Sequence, residues 1–289
     1  MADRRFTPTW RVAGRLVTFQ RPWIMGVVNV TPDSFSDGGR YLDPERAIAH
    51  ALELAQAGAD LLDIGGESTR PGADPVPLEE ELRRVLPVIR GLAGHVSIPL
   101  SVDTYKAEVA RQALAAGATI VNDVTGLTGD PDMPEVVRRY DAAVIVMHMQ
   151  GTPRTMQLDP HYADVVAEVR AYLQTRLAEL QEAGISPEAI AIDPGIGFGK
   201  TTEHNVQLLA ALERFTYLGR PLCLGVSRKG FINKVLGRSG WVEHGVGGTI
   251  GVLLFALSRG ALQIARVHDV AEVSAAVRMF LTLQERSDR

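Results

Sequence analysis

The sequence predicts an α/β fold, a closed (β/α)8 TIM barrel with a short N-terminal β-hairpin. Three observations carry that prediction: eight short β-branched runs alternate with segments of helical period, glycines mark several helix-to-strand joints, and every run carries a polar residue at or near its C-terminal end. The 289 residues suit such a barrel, for which about 250 is typical.

Residues 10–18 read as a small hairpin that covers the lower end of the barrel. The buried runs that follow are 24–30, 61–65, 100–104, 119–124, 143–148, 190–193, 222–227 and 263–268, rich in Val and Ile as strands covered on both faces are. Apolar residues at helical spacing occupy 45–57, 78–92, 106–116, 133–140, 162–183, 203–214, 248–258 and 270–283. Successive runs begin about 34 residues apart, which leaves room for the crossover helix that parallel pairing requires. Residues 1–22 are assigned to the hairpin extension and 23–285 to a single barrel domain. Glycine, 28 of 289 residues, exceeds the usual share of about 7%, and the excess is placed rather than pooled in a linker. Ala57-Gly58-Ala59, Ala116-Gly117-Ala118 and Arg259-Gly260-Ala261 each lead into a buried run, so glycine reads as a left-handed helix cap.

Composition narrows the function classes. Thirty Lys+Arg against 34 Asp+Glu give a net charge of −4, no field for gathering nucleic acid. With 46% hydrophobic and 22% charged residues a full core is available and extensive disorder is excluded. The single cysteine, Cys223, rules out an internal disulfide or a cysteine metal cluster and fits a reducing cytoplasm. Residues 1–10 are too polar for a signal peptide, and the apolar stretch 250–257 is far shorter than the roughly 20 residues of a membrane span. The expectation is a cytoplasmic protein that handles small molecules and binds neither nucleic acid nor membrane.

The polar strand ends are Asn29, Asp63 with Glu67, Asp103, Asn122 with Asp123, His148, Asp193, Ser227 with Lys229, and Arg266 with His268. A closed barrel brings them to one mouth, whereas an open doubly wound sheet would gather chemistry at one switch point. A carboxylate that only accepts beside a carboxamide that donates and accepts can read a guanidine-like heterocycle edge. Lys229 supplies a donor for a ring carbonyl, and Arg266 offers a flat face and a fork for phosphate. Asp63 and Asp123 suit turn capping as well as function. The histidines lack the spacing of a helical zinc pair. Gly225-Val226-Ser227-Arg228-Lys229 lacks the second glycine of a serine nucleophile elbow, and residues 194–200 lack the ending of a P-loop. Met147, Met149 and Met156 read as packing, with Met147 bordering the pocket.

The motifs form an ordered series. They are residues 29–39 (Asn29 through Thr31-Pro32-Asp33-Ser34-Phe35-Ser36-Asp37 to Gly39), 63–72 (with Glu67-Ser68-Thr69-Arg70-Pro71-Gly72), Ser101-Val102-Asp103-Thr104, Asn122-Asp123-Val124, residues 147–153, Asp193-Pro194-Gly195-Ile196-Gly197-Phe198-Gly199-Lys200, Ser227-Arg228-Lys229, and Arg266-Val267-His268-Asp269-Val270. From about Ile24 to Val270 the chain closely resembles the dihydropteroate synthase family of folate biosynthesis. The resemblance implies a transferase that joins 6-hydroxymethyl-7,8-dihydropterin diphosphate to 4-aminobenzoate with release of diphosphate, built as a homodimeric barrel, using Mg2+ and targeted by sulfonamides. Carried over motif by motif, Asp103, Asn122, Met147, Asp193, Lys229 and Arg266 would hold the pterin. Asn29, Thr69, Arg70, Arg266 and His268 would hold the diphosphate, with Asn29 also at the metal. Phe35, Arg70, Pro71, Phe198, Lys229 and Gly230 would border 4-aminobenzoate. Asp103, Asn29, Asp37, Lys229 and Arg266 form the implied catalytic set, acting in a largely dissociative substitution. Gly230 departs from members that carry Ser there, and the glycine-rich segment 237–248 matches poorly, which bears on the subunit interface. The alternatives are a non-catalytic pterin-binding paralogue and a pterin-dependent methyltransferase domain.

Overall fold

The structure, a computed structural model, describes residues 8–31, 43–237 and 245–287. It opens with a hairpin of β1 (Thr9–Val12) and β2 (Arg15–Thr18). Ala13 and Gly14 both take positive φ, 51° and 72°, the turn geometry whose twist matches a two-stranded ribbon. Eight parallel strands follow: β3 (Trp23–Asn29), β4 (Leu61–Gly65), β5 (Leu100–Asp103), β6 (Ile120–Asp123), β7 (Ala143–Met147), β8 (Ile190–Asp193), β9 (Cys223–Leu224) and β10 (Ile264–Val267). Their order β8-β7-β6-β5-β4-β3-β10-β9 is that of a barrel cut at one seam. A bridge between Ile192 and Leu222, with Ile192 N–H donating to Pro221 O at 2.9 Å, draws the two edges of the seam together.

The helices are α1 (Pro44–Gln56), α2 (Leu78–Leu92), α3 (Ala107–Ala115), α4 (Met133–Arg139), α5 (Val165–Glu182), α6 (Thr202–Ala210), α7 (Glu213–Thr216), α8 (Gly230–Val235), α9 (Gly245–Ser258) and α10 (Val270–Ser287). Side-chain caps explain several starts. Asp43 accepts from the N–H groups of Glu45 and Arg46, Asp164 from those of Val166 and Ala167, and Thr201 forms a capping box with His204. Gly117 follows α3 at φ 119°, a conformation that Cβ-bearing residues avoid, and Gly58 and Gly260 do the same after α1 and α9. Three expectations shift. The helix expected over 203–214 divides into α6 and α7, and α8 had no counterpart. The strand expected over 222–227 pairs only over residues 222–224, and the chain then turns away to reach Arg228 at φ 58°.

Strand alternation sorts the residues into two sets. Outward positions such as Ile64, Val102, Val121, Val144 and Ile192 pack under the helices. Inward positions Met25, Leu61, Ile120, Ile145, Ala191, Cys223 and Ile264 fill the lower barrel together with Trp10 of the hairpin. Trp10 is fully buried, meets Trp23 edge-on at 6.2 Å, and donates from Nε1 to Ala189 O at 3.0 Å. The hairpin is thus a plug, and the inward residues nearer the strand ends are left for the mouth.

Candidate active site

Continuing the inward parity upward gives Asn29 on β3, Asp63 on β4, Asp103 on β5, Asn122 on β6, Met147 on β7, Asp193 on β8 and Arg266 on β10. Parity excludes Asp123 and His148, which the strand-end reading had sent to the mouth. Asp123 instead caps its own turn, accepting from Thr125 N–H and Oγ1 at 2.7 Å each. His148, just past β7, is buried against Lys200, with 2.9 Å between Nδ1 and Nζ.

Arg266 is the hub. Its Nε donates to Asp63 Oδ2 at 2.7 Å and its Nη2 to Asp103 Oδ2 at 2.6 Å. Asp63 Oδ2 also accepts from Asn122 Nδ2 at 3.0 Å. Residues from four strands are thereby fixed relative to one another. Burial pushes the Asp103 carboxyl up to about 7; Arg266 opposes that rise and Asp63 adds to it. Burial pulls Arg266 down, but Asp63 and Asp103 more than compensate and keep it charged. The sequence leaves Asp63 open between turn cap and site residue, because a strand-end Asp resembles a cap; strand register shows that it faces inward.

On the other side of the mouth, Asp193 Oδ1 accepts from Gly195 N–H at 2.7 Å. Burial raises its carboxyl, opposed chiefly by Lys229. Lys229 donates to Ile196 O and sits 4.5 Å above the centre of the Phe198 ring. Burial lowers its ammonium to about 8 against the pull of Asp193. Gly230 opens α8 beside it, and among the described residues no atom beyond its own helix and chain neighbours lies within 4 Å of where a Cβ would stand.

A third cluster lies where β3 and β10 end. Asn29 Nδ2 is 3.5 Å from His268 Nε2, and His268 Nδ1 is 3.1 Å from Ser227 Oγ. Burial, then the charges of Arg266 and Arg228, lowers His268 to about 4, and the charge of Arg70 adds to this, so the imidazole is neutral at pH 7 in a cationic setting. Ser227 as its orienting partner was not anticipated. Thr69 is half-buried, while Arg70 and Pro71 are exposed at the tip of the loop after β4. The base of that loop is pinned by Glu67, which accepts from Tyr105 Oη at 2.8 Å and Val76 N–H at 3.2 Å, and Gly72 N–H reaches Pro153 O at 3.1 Å. Phe35 and Asp37 lie outside the described residues. A cavity of about 480 Å3 between the loops after β4, β5, β6 and β7 is bounded by Tyr105, Met149 and Tyr172, and none of the inward strand-end residues lines it.

Among the described residues no group of three or more His, Cys, Asp or Glu is gathered to hold a metal. In the cluster where β3 and β10 end, Asn29 offers a neutral amide oxygen. That fits Mg2+, which retains waters and takes further oxygens from a substrate's phosphates.

The family model described as pterin binding enzyme matches residues 25–268, most of the chain. The chain belongs to the dihydropteroate synthase family. Members are transferases. The Synechocystis dihydropteroate synthase is 46% identical over 87% of this chain and 86% of its own length. The Xanthomonas albilineans dihydropteroate synthase solved with 4-aminobenzoic acid is 50% identical, with a TM-score of 0.89 over 96% of this chain and 98% of that one. In complex with 7,8-dihydropteroate the same enzyme gives a TM-score of 0.85 at 46% identity, covering 96% and 99%. The Yersinia pestis dihydropteroate synthase with a sulfonamide drug complex gives 0.89 at 40% identity, covering 96% and 99%. Among the described residues no helix is long and apolar enough to cross a membrane.

Proposed function

We propose that this mouth joins 4-aminobenzoate to 6-hydroxymethyl-7,8-dihydropterin diphosphate, forming 7,8-dihydropteroate and diphosphate. The observation that carries the reading is the inward set Asp103, Asn122 and Asp193 facing a cationic set of Lys229 and Arg266. Asp193 and Asn122 match the donors and acceptors of a pterin's guanidine edge, Lys229 its carbonyl, and Met147 packs at the rim. Arg266, braced by two carboxylates, presents its plane to the ring and its remaining N–H groups to the diphosphate. Asn29, His268, Thr69 and Arg70 form the rest of the anion site. Phe198, Pro71 and Gly230 border the aminobenzoate slot, with Arg70 and Lys229 for its carboxylate.

The C–O bond to diphosphate breaks largely first, and both electrons leave with the diphosphate. The cation left on the dihydropterin is stabilised by ionised Asp103 in a water-poor site. The arylamine then forms the C–N bond and loses a proton. Asn29 would hold Mg2+, which when bound neutralises charge on the leaving diphosphate. The loop after β4 would exclude water from the cation. Residues 23–285 act as one barrel unit with 1–22 as its extension, in the cytoplasm and as a homodimer. The test is diphosphate release on mixing the two substrates with Mg2+. Turnover is expected; pterin binding without it would favour a binding paralogue.

A further inference from the structure

Lys200 is buried and lacks a carboxylate partner among its hydrogen bonds. Its Nζ lies 2.9 Å from His148 Nδ1, 2.9 Å from Phe198 O and 3.4 Å from His148 O. It therefore ties the segment 195–199 to the end of β7. The two segments are also in backbone contact: a Cβ on Gly195 would stand 1.8 Å from His148 O, and one on Gly199 2.4 Å from Gln150 O. Every carbonyl from Gly195 to Gly199 has a donor: Phe198 N–H, Lys229 Nζ, Gln157 Nε2, Lys200 Nζ and Tyr162 Oη in turn. Of these, Lys200 alone holds the carbonyl of Phe198 itself.

We propose that Lys200 is a positioning residue that seats Phe198, and through it sets the affinity of the reaction for 4-aminobenzoate, without touching either substrate. The clamp tolerates a change of charge. An ammonium donates to all three acceptors, while a neutral amine donates to the two carbonyls and accepts from His148 Nδ1–H. Burial lowers both groups, His148 to about 3 and Lys200 well below its ordinary range, so the pair holds this geometry across neutral pH. Losing the amine removes the donor to two carbonyls, one buried and one partly buried, and frees the backbone that carries the ring.

The inference rests on Phe198 bordering the aminobenzoate slot, so the experiment pairs Lys200→Met with Phe198→Ala. With the full-length enzyme, KM for each substrate and kcat are measured alongside thermal unfolding. Lys200→Met is expected to raise KM for 4-aminobenzoate about ten-fold while KM for the pterin diphosphate stays within about two-fold. Lys200→Gln, which keeps an amide donor, recovers part of that loss. If Lys200→Met does not fold, His148→Leu carries the test through a smaller rise confined to the same KM. An unchanged aminobenzoate KM, or equal losses for both substrates, overturns the proposal. If Phe198→Ala raises that KM and the Lys200 and His148 variants do not, the slot stands and the clamp fails; if Phe198→Ala leaves it unchanged, the reading of the slot itself fails.

Discussion

Asp63 and Arg266, 203 residues apart in the chain, form an ion pair at 2.7 Å inside the barrel mouth, where Asp63 is fully buried and the Arg266 side chain is 22% exposed. The second Asp63 oxygen, Oδ1, has no hydrogen-bond partner among the described residues. An unshared lone pair at that depth is costly unless the bonds made by its twin matter more. Those bonds orient Arg266 and Asn122 together.

Asp63→Asn keeps the shape and removes the charge that orients Arg266. Stability should fall by ~3 kcal/mol, the low end for breaking a buried pair because Arg266 is partly exposed. Pterin diphosphate KM should rise as Arg266 swings toward Asp103. Urea unfolding and steady-state kinetics check both; a variant with unchanged KM would show that Asp63 does not position Arg266.

Asp103→Asn should lower kcat about a hundred-fold while weakening pterin binding far less, since the carboxylate matters most when the cation forms. In the unsubstituted enzyme kcat/KM should be bell-shaped in pH. A carboxyl raised to about 7 is protonated and ineffective below that pH, so activity climbs through it; an ammonium lowered to about 8 loses its proton above that pH, so activity then declines. Rate measurements from about pH 5 to about pH 10 test this, and loss of the acid limb in Asp103→Asn assigns it.

Trp10→Ala empties the barrel floor. Unfolding stability should drop by about 3–5 kcal/mol, as for other buried aromatic truncations, with both KM values unchanged because the plug is at the opposite end from the mouth. A shift in KM would mean that the floor and the mouth are coupled.

Stripping divalent metal with a chelator should abolish turnover. Calorimetric binding of a pterin that lacks the diphosphate should survive it, because the described residues gather no carboxylate cluster of their own for a metal. Loss of that binding too would place the ion against the pterin.

The barrel could be read from local chemistry alone. Runs of Val and Ile, the glycines after three helices, and Asp or Thr caps are each decided within a few residues, so element type and order follow without distant contacts. Asp103, Asn122, Asp193, Lys229 and Arg266 also stood out in the sequence, because each is a polar residue at the end of an apolar run. Which of the strand-end residues share one cavity was another matter. His148 and Asn122 look alike in sequence, yet strand register turns Asn122 toward Asp63 and leaves His148 behind the wall with Lys200. Asp63 suits a cap as well as a site residue in sequence, and only the placing of β4 and β10, far apart in the chain, on either side of β3 decides between the two. The eight-stranded barrel with its hairpin was thus determined by the sequence itself. The tertiary structure decided which polar side chains meet, because a one-residue change of register moves a side chain to the other face of the sheet, and register is set by pairing between distant segments.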